Sequence, residues 1–369
     1  MNVSDIMAEK VLSMGLEDTV SKALKDMYDN NINQLPVTDP GGKYVGMIFA
    51  KEFLNLNAQP SSKLKHFTKK TPVLSPNDTV EKCTHLIVTT GNRALPVVEN
   101  ASLVGIISET DVALTANFGH ATVDEVMSGA IVIEEGSTLA NALSKMRRYN
   151  ISRLPIIKTN GLLAGIINAL EIARILSAPR ERMGKASRGV SSTTHPRDTI
   201  VREIMRRAES VERGTSLNAL IDDFKKNEEI VVVGDKRPIG IVTPRDALEM
   251  TLPKSRNPSI HVAHIEGEAR TTIQEHLSRF LKKIQGKLEN VQSVIVYADK
   301  HKSRKYSVRA RLITAKGVID AQAVGYDPLS AVKELISKLD RRIRSEHSQK
   351  VREKHQPRRS DKSFARAME

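Results

Sequence analysis

The stretch LPVVENASLVGIISETD, residues 95–111, contains the pattern that decides the fold of most of this chain. An apolar strand with a proline leads through a short polar turn to a second apolar strand, which contains a glycine and ends at a hydroxyl-rich helix start. The pattern recurs: the prolines Pro36, Pro96 and Pro155 are separated by 60 and 59 residues. A constant period of this length indicates an internal repeat.

The glycines of the second strand extend the repeat to four units. These glycines are Gly46, Gly105, Gly165 and Gly240. Their separations are 59, 60 and 75 residues, and a polar insertion at 178–199 accounts for the longer last interval. Each unit also has a hydroxyl residue that suits a helix N-cap, and these residues are Thr19, Thr79, Ser137 and either Thr215 or Ser216. The spacing predicts four β-α-β-β-α units.

The units resemble the cystathionine β-synthase (CBS) domain family. The resemblance rests on the LPV-type prolines, on strand ends of the form G-h-h-(S/T)-x-x-D, where h is apolar, and on the unit starts Asp5-Ile6-Met7, Glu125-Val126-Met127 and Glu203-Ile204-Met205. It divides the chain into units at 1–57, 61–118, 122–177 and 200–252, with a linker at 178–199. The family pairs its domains into discs and commonly binds adenine nucleotides between them. The resemblance therefore implies two discs and AMP, ADP or ATP as a regulatory ligand.

The resemblance also implies candidate nucleotide-binding residues. Such a site needs a carboxylate for the ribose hydroxyls, a hydroxyl or helix N-terminus for the phosphate, and a nearby cation. Unit two offers all three in Asp111, Ser108 and Arg93, and it is the preferred site. The complete set of candidates is Val73, Arg93, Ser108, Asp111, Arg153, Thr243 and Asp246.

Unit four is a weaker candidate for the same ligand. It contains Thr243 and Asp246, but Glu228 and Glu229 occupy the place where the family often has a phosphate-facing cation. Hydroxyl and acidic residues at these positions also suit helix capping. For unit four, capping and ligand binding remain equal alternatives.

Positive charge is concentrated in the last third of the chain. Residues 253–369 contain 26 Lys and Arg against 13 Asp and Glu, whereas residues 1–252 contain 31 against 30. Clustered cations favour polyanions because a phosphate backbone releases counterions when they bind. The segregation predicts an electrically neutral unit joined to a polyanion-binding unit, with a merely solubilising surface as the alternative.

From Asn257 the pattern changes and predicts the order β-α-β-β-β-α. A strand at 260–265 precedes a helix with a candidate cap at Thr272 and an apolar face that reaches Leu288. The last helix is predicted to start at Asp327-Pro328. The strand YSVRARLI alternates, so that Tyr306, Val308, Ala310 and Leu312 share one face and Lys305, Ser307, Arg309 and Arg311 share the other. We expect the first face to be core and the second to be cationic and open.

This order, with YSVRARLITAKGVIDAQAVGYDPLSAVKELISKLDRRIRSEH at 306–347, resembles the ribosome hibernation-promoting factor family over 257–348, ahead of a basic tail at 349–369. The resemblance implies a stress-response protein that binds the rRNA of the small ribosomal subunit and blocks translation. The fusion suggests an archaeal source. The candidate RNA contacts are Arg279, Lys283, Lys287, Lys305, Arg309, Arg311, Lys338, Arg341, Arg342 and Arg344.

Several other classes are disfavoured. The sequence has no GxGxxG, P-loop, HExxH or nucleophile-elbow motif, so we expect no enzymatic activity. The ten histidines show no metal-ligand spacing, and we expect no metal. The only cysteine, Cys83, excludes an internal disulfide and fits a reducing compartment. Without a secretory signal or an apolar run of ~18 residues, the protein is expected in the cytoplasm without membrane contact.

The sequence thus predicts a nucleotide-sensing ribosome-binding factor. The alternative is a CBS-regulated DNA-binding transcriptional regulator, which would need a recognition helix. Whether the discs also pair two subunits into a homodimer is left open.

Overall fold

Each of the four repeats folds around an antiparallel strand pair that leads into a helix, and a separate four-stranded sheet follows them. The computed structural model describes residues 1–55, 58–177, 196–252, 258–265, 267–284, 288, 291–300, 305–314 and 317–355. The predicted mixed α and β fold with four repeated units is confirmed.

The first repeat contains β1 (Met14–Gly15), α1 (Val20–Asp29), β2 (Gln34–Thr38), β3 (Tyr44–Phe49) and α2 (Ala50–Asn55). The second contains α3 (Val80–Thr90), β4 (Ala94–Glu99), β5 (Ser102–Ser108) and α4 (Glu109–Ala113). The third contains α5 (Val123–Val126), β6 (Ser128–Gly129), β7 (Ile133–Glu134), α6 (Leu139–Tyr149), β8 (Arg153–Ile157), β9 (Leu163–Asn168) and α7 (Ala169–Ser177). The fourth contains β10 (Ser210–Glu212), α8 (Ile221–Phe224), β11 (Ile230–Gly234), β12 (Arg237–Val242) and α9 (Pro244–Leu248).

The helix caps agree with the sequence in the first two repeats. The hydroxyl oxygens of Thr19 and Thr79 accept hydrogen bonds from the backbone N–H groups of the residues three positions later, at 3.4 and 3.2 Å. In the third repeat the cap is Thr138 rather than Ser137, because the first buried helical residue is Leu139. In the fourth repeat Ser216 precedes a short 3-10 helix and makes no side-chain cap.

The repeats pair by exchanging their first segments. Ala8 at the start of repeat one bridges Ile106 of β5 in repeat two, and Lys69 at the start of repeat two bridges Met47 of β3 in repeat one. Repeats three and four exchange segments in the same way, through Ile166 with Arg206 and through β6 with β12. Backbone hydrogen bonds therefore join one to two and three to four.

The repeat glycines are required by this exchange. A Cβ at Gly46 would lie 2.5 Å from the Lys69 carbonyl oxygen, and one at Gly105 would lie 2.5 Å from Met7 Sδ. At Gly240 the neighbour is Met127, and at Gly165 it is the Arg206 carbonyl oxygen. The repeated glycine of one unit and the methionine at the start of its paired unit thus lie in the same close contact between the two repeats.

The two pairs join through helices to close a four-repeat ring. Helices α1 and α2 of repeat one pack on α7 of repeat three, and helices α3 and α4 of repeat two pack on α9 of repeat four. One hydrophobic core is shared by repeats one and three, and another by repeats two and four. Each repeat is therefore held by strands on one side and by a helical core on the other.

The C-terminal domain has the predicted order β-α-β-β-β-α. Its elements are β13 (Ser259–Ala263), α10 (Glu268–Ile284), β14 (Val291–Lys300), β15 (Tyr306–Thr314), β16 (Gly317–Gly325) and α11 (Pro328–His355). The strands lie in sequence order in one sheet, with β13 parallel to β14 and the other neighbours antiparallel. Both helices cover one face of the sheet and enclose the domain's own core.

Some predicted boundaries of this domain were wrong. Helix α10 starts at Glu268, so Thr272 lies inside it and donates its hydroxyl to the Glu268 carbonyl at 3.0 Å. Strand β13 ends at Ala263, and Leu288 lies beyond the end of α10. Asp327 does precede the last helix, where its carboxylate accepts from the Ser330 N–H at 2.9 Å. No helix in the described part of the chain is long and apolar enough to cross a bilayer.

Replacing Gly46 by alanine tests the strand exchange. The added methyl group would press on the Lys69 carbonyl group, which belongs to the backbone and cannot rotate away as a side chain can. We expect a loss of about 1–3 kcal/mol in the free energy of unfolding, measured by urea denaturation. The control is Gly136→Ala, because a Cβ at Gly136 has nothing within 4 Å. Equal stability of the two variants would contradict the proposed contact.

Candidate functional site

A cavity of about 920 Å³ lies between the ring and the sheet of the C-terminal domain, with walls from all four repeats. From the C-terminal domain it is lined by residues that include His261, Arg270, Tyr297 and Arg309. Four of the sequence-predicted nucleotide residues also line it, namely Arg93, Arg153, Thr243 and Asp246. Val73, Ser108 and Asp111 do not.

Two of the arginines in the cavity wall, Arg93 and Arg153, are already paired with carboxylates. Arg93 forms an ion pair with Glu228, whose carboxylate also accepts from Asn33 at 2.8 Å. Arg153 Nε lies 3.1 Å from the buried Glu229 carboxylate. Glu228 and Glu229, which the sequence marked as unfavourable for phosphate, therefore neutralise the cations expected to bind it.

In repeat two, Ser108 and Asp111 contact each other, whereas the Arg93 side chain pairs with Glu228. Asp111 accepts from the backbone N–H and the hydroxyl of Ser108, at 2.8 and 2.7 Å, and so caps α4. Val73 is 45% exposed. Arg93 points into the cavity instead of joining Ser108 and Asp111, because its partner Glu228 comes from repeat four.

In repeat four, Asp246 is engaged on both oxygens. One oxygen accepts from the Thr243 backbone N–H and hydroxyl, at 2.9 and 2.8 Å, which is the capping alternative. The other lies 3.0 Å from Nη1 of Arg311 in the C-terminal domain. The sequence did not indicate this second contact.

The expectation that Arg309 and Arg311 lie on an open sheet face is wrong. Arg311 is 1% exposed, and its guanidinium donates to the Glu249 carboxylate from Nη2 at 2.8 Å and to the Val126 carbonyl at 3.0 Å. Arg309 donates to the Ser128 hydroxyl at 2.7 Å. Alternation placed both side chains on the correct face, but it could not show that the ring covers that face.

The rest of this interface is also polar and buried. The Tyr297 hydroxyl donates to the Val88 carbonyl at 2.7 Å, and burial raises the pKa of Tyr297 to about 12. Asp299 forms an ion pair with Lys51 of repeat one. Burial alone would raise the pKa of Asp299, but Lys51 and His264 outweigh it and hold this pKa below the usual range. The contact between the C-terminal domain and the ring therefore contains complementary charges as well as apolar surface.

The helix side of the domain remains accessible. Arg279, Lys283, Arg342 and Arg344 have 71, 54, 52 and 61% exposed side chains. Lys338 and Arg341 line a second cavity of about 500 Å³, together with Arg148 of repeat three. Lys305 is exposed and lies 5.2 Å from the ring centre of Tyr326. Lys287 lies outside the described residues.

Glu109 is a buried carboxyl in the cavity wall that sequence analysis missed. It is 5% exposed, and its Oε2 has no hydrogen-bond partner within the described ranges. Burial raises its pKa to about 7, although Arg245 and Arg93 act in the opposite direction. The surrounding described residues contain no group of three or more His, Cys, Asp or Glu side chains arranged to hold a metal ion.

Glu109→Gln should change how stability depends on pH. Folding raises the pKa of this carboxyl from 4.5, so its stabilising contribution is present below pH 4.5 and is lost as pH rises through about 7. Glutamine does not titrate, so the variant should gain up to roughly 3 kcal/mol relative to wild type between pH 5 and pH 8. Urea unfolding at the two pH values measures this, and the exposed Glu99→Gln is the control. The same pH dependence in wild type and variant would contradict the assignment.

Comparison with known proteins places the repeats in a family. Homoserine O-acetyltransferase of Methanosphaerula palustris is 30% identical over 107 residues, 28% of this chain and 22% of that enzyme. Uncharacterized protein MJ1404 of Methanocaldococcus jannaschii is 26% identical over 188 residues, 49% of this chain and 45% of that protein. The chain thus spans less than half the length of either relative.

The fold is shared with a solved structure. Protein MJ1225 from Methanocaldococcus jannaschii superposes with a TM-score of 0.59 and 22% identity, covering 68% of this chain and all of that one. The CBS domain model matches residues 3–58, 64–115, 123–178 and 201–252. These segments make up more than half of the chain and coincide with the four repeats of the ring, so the protein belongs to the CBS domain family.

Proposed function

We propose that the protein is a nucleotide-responsive factor whose C-terminal domain binds the rRNA of the small ribosomal subunit and thereby blocks translation. The observation that supports it most directly is a cationic patch across two helices. Lys283 of α10 and Arg344 of α11 both contact the Asp340 carboxylate, at 3.2 and 2.5 Å. Arg279 lies one turn before Lys283 on α10. We call Arg279, Lys283 and Arg344 the helix patch.

The helix patch suits a polyanion for two reasons. It lies on rigid helices packed on the sheet, so binding costs little backbone ordering. Lys283 and Arg344 share the single carboxylate of Asp340. These three residues together therefore carry a net positive charge. Structured RNA is gripped largely through phosphates and shape, for which such a surface is sufficient.

A second cationic surface continues toward the ring. The 500 Å³ cavity is lined by Arg148 of α6 and by Lys338, Arg341 and Arg342 of α11, against β16. Lys338 donates to the Gln322 carbonyl at 3.0 Å, and Arg342 Nη1 lies 2.9 Å from the Asp320 carboxylate. An RNA strand bound here would touch both the ring and the C-terminal domain, which offers a route for the ring to affect RNA binding.

Reversing two charges of the helix patch tests the RNA-binding part. Arg279→Glu with Arg344→Glu should weaken cosedimentation with small ribosomal subunits at least tenfold. It should also reduce the slope of log affinity against log salt by about two, because each arginine neutralises one phosphate.

The control is Lys22→Glu with Lys25→Glu, which changes the net charge equally on an exposed helix of repeat one. If both double variants lost affinity equally, only total charge would matter. Unchanged binding of the helix-patch variant would exclude this surface.

The nucleotide part of the proposal concerns the ring. In repeat two, one oxygen of Asp111 caps α4, and no ion pair to Asp111 occurs among the residues that the structure describes. This carboxylate remains suitable for ribose hydroxyls, with Ser108 beside it. The ligand class proposed is an adenine nucleotide, AMP, ADP or ATP.

Calorimetry on the full chain with AMP, ADP and ATP tests this part. We expect binding of at least one of the three, and Asp111→Asn should weaken the repeat-two site at least tenfold. Asparagine keeps an oxygen that can accept the Ser108 N–H, so the helix cap survives while the charge is removed. The exposed Asp29→Asn is the control. No heat with any nucleotide would refute nucleotide sensing.

A further inference from the structure

The contact between Arg311 and repeat four differs from an ordinary domain interface. Arg311 lies on β15 in the middle of the sheet and is the largest of the fully buried side chains in the described part of the chain. Its guanidinium contacts Asp246 at 3.0 Å and Glu249 at 2.8 Å, and both carboxylates belong to repeat four. A buried arginine of this kind is tolerated only while its carboxylates stay in place.

Asp246 is the repeat-four counterpart of Asp111, the carboxylate proposed above for the ribose hydroxyls. Each is the third residue of its helix and accepts hydrogen bonds from the N-cap residue, Thr243 for Asp246 and Ser108 for Asp111. The difference between the two repeats is the oxygen that faces away from the cap. In repeat four this oxygen is held by Arg311.

The space beside Asp246 has features of a ligand site. Asp246 and Thr243 line the 920 Å³ cavity, which has room for a nucleotide. Glu109, in the same wall, is nine-tenths buried with an oxygen that lacks a partner among the described residues. Arg245 also lines the cavity, and its buried Nε is likewise without a hydrogen-bond partner in those ranges. The cavity wall thus contains a buried acceptor and a buried donor that have no partner among the described residues.

We propose that the ring side of this cavity, at Thr243 and Asp246, is a second nucleotide site and that Arg311 occupies its ribose-binding carboxylate, so that nucleotide binding and docking of the C-terminal domain compete for Asp246. The inference rests on the proposed nucleotide sensing and specifies where it acts. A ribose that donates its hydroxyls to Asp246 displaces Arg311. The ion pair between Arg311 and Glu249 then breaks as the sheet leaves the ring.

Release would change the surface available to RNA. The docked face holds Arg309, Arg311 and Tyr297, two cations and an aromatic side chain, all covered by the ring. Once uncovered, these side chains would extend the cationic surface beyond the helix patch. Because coupling between two binding equilibria is reciprocal, RNA held on this face would raise nucleotide affinity by the same factor.

The test uses the full chain carrying Asp111→Asn, so that the repeat-two site does not contribute. AMP, ADP and ATP are titrated into this protein with Arg311, with Arg311→Met and with Arg311→Lys. We expect Arg311→Met to bind nucleotide at least tenfold more tightly, since the competitor is gone. Arg311→Lys should fall between, because lysine keeps the charge but cannot hold both carboxylates with one planar group. Lysine also leaves a cation in the interface, which keeps the test valid if the methionine variant fails to fold.

Docking is measured separately, as the efficiency of energy transfer between two dyes. The dyes are attached at Lys25→Cys in the ring and at Glu275→Cys on α10, which are both exposed positions. The native Cys83 is fully buried, and burial raises its pKa to about 12, so it should not take up dye. We expect nucleotide to lower the transfer efficiency of the protein with Arg311. We also expect a low efficiency in the Arg311→Met protein without nucleotide.

The outcomes separate this inference from the proposed function. Binding to the chain with Asp111, but not to the Asp111→Asn chain that also carries Arg311→Met, would overturn the second site and leave nucleotide sensing intact. Equal affinity with Arg311 and with Arg311→Met, or binding without a change in energy transfer, would overturn the competition. No binding to any form would overturn both proposals.

Discussion

Arg311 is an ionised side chain with 1% of its surface exposed, at the centre of the contact between the CBS ring and the C-terminal sheet. Burial alone lowers the pKa of such a group, but Glu249 and Asp246 outweigh this effect and raise it, so the guanidinium stays charged. The charge and its two carboxylates require one another, because any of them left alone in the interface would be an uncompensated buried ion. The position of the C-terminal domain, and with it the cavity, depends on this cluster.

At the centre of the ring, arginines are likewise neutralised by carboxylates of the protein itself. Arg93 and Arg153 face the cavity from repeats two and three, and repeat four supplies Glu228 and Glu229 to match them. A phosphate would have to displace a carboxylate to reach either arginine. The nucleotide proposed for this centre is therefore expected to be recognised less through phosphate charge than through its ribose and base.

Local patterns in the sequence were informative where neighbouring residues decide the structure. The strand pairs, the caps at Thr19 and Thr79 and the β-α-β-β-β-α order were predicted, because periodicity and capping act over a few residues. The wrong cap at Ser137 and the wrong helix start at Thr272 have a similar cause. Several hydroxyl residues lie near each helix start, and the packing of the first buried turn chooses among them.

The sequence by itself determined the four repeats, the family and the face of β15 on which Arg309 and Arg311 lie. It also showed that Glu228 and Glu229 stand where cations were expected. Only the tertiary structure decided what covers that face, which residues pair with Arg93, and that Asp246 meets Arg311. Asp246 and Arg311 are 65 positions apart in the chain. A contact between such distant charges depends on how two folded domains dock, and neither periodicity nor spacing carries that information.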